Sequence, residues 1–200
     1  MEFKKLKEMK DKYEKENGPT KTFLKKYGEL SEKSLLAFFD EHYKKDKSNN
    51  RIRSSSFSDR VFAWWTMQFL NDKVCNAPYS PKDDNPLVSN KKFDFFFEGR
   101  GKKKVFIEFK KNIDNIEKDL FKFWLLNGAG TDKNIITALV VWEENDNSTY
   151  KNGDRSSYIN ILKHAKKAEF LTEYFYLPKD NREKLIKGIK GYTTFLTELK

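Results

Sequence analysis

The chain alternates amphipathic segments with short, strongly apolar runs. Apolar residues recur every three or four positions in several stretches, a spacing that predicts helices with one buried face. These stretches are residues 2–16, 31–43, 56–70, 114–127 and 156–170. Residues 135–142 form an unbroken apolar run, which is typical of a strand buried on both faces. The pattern therefore predicts a fold that contains both helices and strands.

The clearest signal for strands lies between residues 91 and 111. Two runs rich in aromatic and β-branched residues, 93–97 and 104–109, flank a polar segment that contains Gly99 and Gly101. This pattern predicts a β-hairpin with a longer loop. A hairpin centred on Gly101 pairs Phe95 with Ile107 and sets Asp94 opposite Glu108.

The predicted hairpin gathers charged side chains at one point. Facing carboxylates on antiparallel strands lie about 5 Å apart at Cβ, and they repel each other unless a cation compensates them. Mg²⁺ suits this task because it prefers carboxylate oxygens. Lys110 lies two residues after Glu108 and shares its face, whereas Phe109 points into the core. Metal-assisted phosphodiester hydrolysis uses such a set of groups. The competing interpretation is an exposed hairpin with cross-strand salt bridges.

These residues resemble the PD-(D/E)xK nuclease superfamily, to which most type II restriction endonucleases belong. Asp94 matches the first acid and Glu108-Phe109-Lys110 matches the E-x-K element, whereas Phe93 stands where the family often has proline. The resemblance implies that Asp94, Glu108 and the backbone carbonyl of Phe109 hold Mg²⁺. It also implies that Lys110 positions the attacking water. In the superfamily the helix ahead of the hairpin often supplies a further acid near the metal, which makes Asp59 a candidate, although its position in an N-terminal capping pattern explains it fully.

The resemblance also implies a fold. We expect an α/β (α+β mixed-sheet) protein with a restriction-endonuclease-like αβββαβ core and an added N-terminal helical region. The hairpin, a helix begun by the capping box at Asp114, and the apolar run form a right-handed crossover. The first strand is expected within residues 74–88, and Asp180 is expected to cap a terminal helix. We expect one domain over residues 1–200, with helices in 1–50, a catalytic core in 56–142, and helices and a strand in 143–200.

Composition favours an anionic partner. The net charge is +10, which points to nucleic acid first. A polar loop carries Asn49, Asn50, Arg51 and Arg53, whose side chains have groups that contact phosphates and base edges. The alternative interpretation is a solvent-exposed loop with no role in binding. Arg100 and Lys102 in the hairpin loop are further candidate DNA-binding residues. One cysteine leaves no internal disulfide, and the lack of a signal peptide or long apolar span predicts a cytoplasmic protein with no membrane partner.

The residues and the resemblance together predict an Mg²⁺-dependent endonuclease that acts on double-stranded DNA, and the resemblance implies a type II restriction enzyme. Such an enzyme would be a homodimer, because a two-fold protein matches a palindromic site. Two alternatives stay open. One is a structure-specific repair or recombination nuclease of the same superfamily, and the other is a non-catalytic, basic nucleic-acid-binding protein.

Overall fold

The computed structural model describes residues 31–37, 39, 59–70, 75–76, 91–110, 113, 116–128, 134–142, 152–178 and 181–200. The predicted helix at residues 2–16 lies outside these ranges. Residues 32–37 and 39 are helical, and Ser31 and Ser34 cap the start of this helix by exchanging backbone-to-hydroxyl hydrogen bonds.

A five-stranded mixed sheet forms the centre of the fold. In both chain and sheet order its strands are β1 (Cys75–Asn76), β2 (Phe95–Gly99), β3 (Lys103–Lys110), β4 (Ile135–Trp142) and β5 (Glu173–Leu177). The first three strands are antiparallel neighbours, whereas β4 runs parallel to β3, and β5 runs parallel to β4. Each parallel pair needs a crossover connection, and each crossover contains a helix.

Helices cover both faces of the sheet. They are α1 (Asp59–Leu70), α2 (Glu117–Gly128), α3 (Asn152–Lys167) and α4 (Arg182–Leu199). None of the helices in the described ranges combines the length and the hydropathy that crossing a membrane requires.

Alternate residues of the strands supply two separate hydrophobic layers. Phe95, Phe97 and Ile107 pack with side chains of α1 and α4 on one face. Phe96 and Phe106 pack with side chains of α2 and α3 on the other. The period-two alternation thus divides the core into two layers, and the prediction of a mixed α/β fold is confirmed.

The register of the hairpin follows the prediction. Phe95 pairs with Ile107 and Phe97 pairs with Val105. A short 3-10 turn, Arg100–Lys102, joins the strands, and Gly101 adopts a left-handed conformation at φ 72°. A side chain at Gly101 would be strained in this conformation, so the glycine fixes the centre of the turn and hence the register.

Several element boundaries differ from the sequence prediction. The first strand lies at the start of the expected window but has only two residues. Helix α2 begins at Glu117, and Asp114, the expected cap, lies outside the described residues. The expected cap of α4 at Asp180 is wrong, because Asn181 is the N-cap and its side chain accepts the Lys184 N–H at 2.9 Å. Asparagine and aspartate cap helices equally well, so two neighbouring candidates cannot be separated by residue type.

Candidate active site

Asp94 lies at a bend immediately before β2 and is half-buried. Its Oδ2 accepts a hydrogen bond of 2.9 Å from the backbone N–H of Phe109. Continuing the register one pair beyond Phe95 and Ile107 sets Asp94 opposite Glu108. The Asp94 carboxylate is therefore fastened to the middle residue of the E-x-K element, while the Phe109 side chain is buried in the opposite layer.

Glu108 is a buried carboxylate in β3, with 3% of its surface exposed. Its Oε1 contacts the ammonium of Lys122, which projects from α2. Burial raises the pKa of Glu108 well above its usual range, and the nearby charge of Asp94 raises it further, while Lys122 opposes the shift. The alternative of an exposed hairpin with cross-strand salt bridges is wrong, because this acid is buried and its cation comes from a helix.

Lys110 is the last residue of β3 and lies on the same face as Glu108. Its ammonium lies 3.2 Å from Oδ2 of Asp119, and its side chain keeps 26% of its surface exposed. Lys110 is thus the more accessible of the two lysines, since Lys122 exposes 16%.

Asp119 and Lys122 were not among the residues selected from the sequence. Both belong to α2, and Asp119 lies 3.2 Å from each lysine ammonium through its two oxygens. The sequence does carry a signal for Asp119. It falls in the apolar stripe of the helix, between Ile116 and Phe123, where an acid is buried at a cost unless a cation meets it.

Lys122 stays charged in this environment. Burial acts to lower its pKa, but the ion pairs with Glu108 and Asp119 outweigh burial, so the net shift of the pKa is upward. Its ammonium also donates to the Lys92 carbonyl at 3.3 Å and lies 5.5 Å from the centre of the Phe93 ring. The ring and carbonyl hold the cation in addition to the two carboxylates.

Among the other candidate residues, the structure describes Asp59, Arg100 and Lys102. Asn49, Asn50, Arg51 and Arg53 lie outside the described residues, and Asp59 is the first residue of α1. Arg100 and Lys102 are exposed in the hairpin turn. The length of β2 separates this turn from Asp94 by roughly 20 Å, so these two side chains are not part of the carboxylate cluster.

The cluster of Asp94, Glu108, Lys110, Asp119 and Lys122 holds three carboxylates and two ammonium groups. In the described part of the chain, no group of three or more His, Cys, Asp or Glu side chains is arranged to hold a metal ion. Two carboxylates nevertheless suit Mg²⁺, which usually keeps several waters and takes one or two protein carboxylates. The excess of negative charge around a buried acid is the observation that fits a divalent cation at Asp94 and Glu108.

Comparison with known proteins adds no family to this description: no protein-family model, curated protein sequence or solved structure matches the chain.

Proposed function

We propose that this protein is an Mg²⁺-dependent DNA endonuclease with Asp94, Glu108 and Lys110 in its active site. The observation that carries the proposal is the hydrogen bond from the Phe109 amide to Asp94, because it holds the first acid against a buried Glu108 two residues from Lys110. The order of elements supports it as well. A helix, three antiparallel strands, a helix and a parallel strand form the αβββαβ order that the resemblance implies.

The roles of the residues follow from their chemistry. Bound Mg²⁺ supplies neutralisation of phosphate charge and a water of lowered pKa. Asp94, Glu108 and the Phe109 carbonyl would hold the ion. Lys110, the more exposed lysine, orients the attacking water and stabilises the charge that develops on the phosphate. Asp119 holds the Lys110 ammonium at 3.2 Å and so limits the positions that it samples.

The substrate is double-stranded DNA. The charge of +10 favours binding to the phosphate backbone. A homodimer that cuts a two-fold symmetric site would account for a nuclease of 200 residues acting on both strands.

The test is cleavage of phage-sized duplex DNA with Mg²⁺ and with EDTA, by the wild type and by two variants. Asp94→Asn removes the charge but keeps an oxygen that accepts the Phe109 amide, and Lys110→Met removes the ammonium but keeps the alkyl chain. We expect each to reduce the cleavage rate at least a hundredfold, in line with the loss of one charged catalytic group.

Lys104→Met is the matched control for Lys110→Met, because Lys104 lies on the same strand and face, six positions earlier.

Discrete Mg²⁺-dependent fragments from the wild type support a sequence-specific enzyme, and a smear supports a nonspecific nuclease. Full cleavage by a folded Asp94→Asn or Lys110→Met variant refutes the assigned site. Salt-sensitive binding with no cleavage of linear or branched DNA refutes the nuclease and leaves a basic binding protein.

A further inference from the structure

Lys122 occupies a site built for an ammonium group. Its Nζ contacts Oε1 of Glu108, lies 3.2 Å from Oδ1 of Asp119 and donates to the Lys92 carbonyl at 3.3 Å. The ring of Phe93 lies 5.5 Å away. These partners come from β3, from α2 itself and from the segment before β2, so the cation joins three parts of the chain.

The contact between Lys122 and Glu108 neutralises a buried carboxylate. Glu108 is 3% exposed and faces the charges of Asp94 and Asp119, so an ionised carboxylate there requires a cation. Lys122 supplies that cation. The proposed nuclease site would supply another at the same carboxylate, since Glu108 is one of the two carboxylates proposed to hold the metal.

Two cations at one carboxylate repel each other. An ammonium beside the site therefore weakens the binding of a divalent ion, and the low dielectric of a buried site strengthens the effect. When a metal ion displaces Lys122 from Glu108, the ammonium keeps its contacts with Asp119 and the Lys92 carbonyl.

We propose that Lys122 is a resident counter-ion of Glu108 that competes with the divalent cation, so that the protein alone binds metal weakly. This inference rests on the proposed function. With all three carboxylates ionised, the three carboxylates and two ammonium groups leave one negative charge, and a divalent ion turns this into one positive charge. A phosphodiester then restores neutrality, so metal and DNA bind the site together rather than one by one.

The test is the affinity of the DNA-free protein for Mn²⁺, measured by calorimetry, in the wild type and in Lys122→Met. Methionine keeps an unbranched side chain and removes the charge. At a pH high enough to ionise Glu108 in both proteins, we expect the variant to bind Mn²⁺ about tenfold more tightly or better, because a repulsion between close charges is removed. Lys118→Met, an exposed lysine on the same helix, and Lys122→Arg, which keeps the charge, should bind as the wild type does.

The outcomes separate this inference from the proposed function. Binding of Mn²⁺ that is equal or weaker in folded Lys122→Met overturns the competition but leaves the nuclease assignment standing. Absence of Mn²⁺ binding in every variant refutes the metal site and the inference together. Tight binding by Lys122→Met that Glu108→Gln abolishes supports both. If methionine prevents folding, Lys122→Gln carries the same expectation.

Discussion

At the scale of single residues, Glu108 combines a charge with an almost complete lack of solvent. Burial and the neighbouring Asp94 raise its pKa above the ordinary value of 4.5. The folded protein therefore holds this proton more tightly than the unfolded chain does. The stabilising contribution is complete below about pH 4.5 and is lost as the pH rises through the folded pKa.

Glu108→Gln should remove this loss, because an amide does not ionise. In EDTA, we expect the stability of the variant relative to the wild type to increase as the pH rises above about 4.5 and through the raised pKa of Glu108. Urea unfolding at several pH values measures the difference. Glu98→Gln, at an exposed position of β2, is the matched control for the change of a glutamate to an amide. A constant difference between Glu108→Gln and the wild type would contradict the pKa direction.

Cys75, the only cysteine of the chain, has a shifted pKa from which the reactivity of its thiol can be predicted. It is 1% exposed in the edge strand β1, and burial raises the pKa of its thiol to about 12. The thiol stays protonated at about pH 8, and a protonated, buried thiol is a poor nucleophile.

We therefore expect Cys75 to react with a disulfide reagent only when the protein unfolds. The measurement is the rate of labelling with and without denaturant at about pH 8, where a free thiol is partly ionised. Rapid stoichiometric labelling of the native protein would show that β1 opens readily from the sheet edge.

At the scale of elements, α4 packs closely on β5, and two glycines of α4 distinguish tight from ordinary contact. A Cβ at Gly188 would lie 2.5 Å from the carbonyl oxygen of Tyr176, whereas one at Gly191 would lie 3.5 Å from the ring of Phe175. Alanine normally stabilises a helix relative to glycine by up to about 1 kcal/mol. Only the second position leaves space for that gain.

Gly188→Ala should destabilise the protein by about 2 kcal/mol, because the backbone of β5 must move to accept the methyl group. Gly191→Ala should be neutral or stabilising by about 0.5–1 kcal/mol. Denaturant unfolding measures the free energy of unfolding of both variants. The comparison is direct, because both are glycine-to-alanine changes in the same helix. Equal effects would mean that α4 lies farther from β5 than described.

The predictability of the elements depended on how local their determinants are. The hairpin register followed from Gly101 and the flanking runs, and the 135–142 strand followed from an uninterrupted apolar run. The cap at Asn181 was missed because its neighbour Asp180 has the same chemistry. Asp119 and Lys122 were missed for another reason. Their meeting with Lys110 and Glu108 depends on how α2 lies over β3, which no local pattern specifies.

At the scale of the whole molecule, one face of the sheet is closed by helices far apart in the chain. Thr66 of α1 and Tyr192 of α4 share a buried hydrogen bond of 2.6 Å between their hydroxyl groups, across 126 positions. Trp65 and Tyr192 also pack at 6.3 Å between ring centroids. The same layer contains Phe95 and Phe109, which flank Asp94 and Glu108 along the two strands.

Tyr192→Phe should cost about 1–2 kcal/mol, because it leaves the buried Thr66 hydroxyl without its partner. Adding Thr66→Val removes the orphaned hydroxyl, so we expect the double variant to be less destabilised than the sum of the single changes. The free energy of unfolding in urea measures the coupling. Strict additivity would indicate that the two hydroxyl groups do not interact.

This long-range closure has a consequence for biosynthesis. When a ribosome has translated α1 and the hairpin, the helix that completes their aromatic layer does not yet exist. Helix α4, which helps to cover Phe95, Phe97 and Phe109, begins more than 70 positions later in the chain. The nascent chain therefore carries an incompletely covered apolar surface during roughly the second half of its synthesis, which makes it a client for chaperones that bind exposed aromatic segments. The carboxylate cluster lies on the opposite face of the sheet. Its residues are all synthesised well before α4, the helix that completes the aromatic layer behind them.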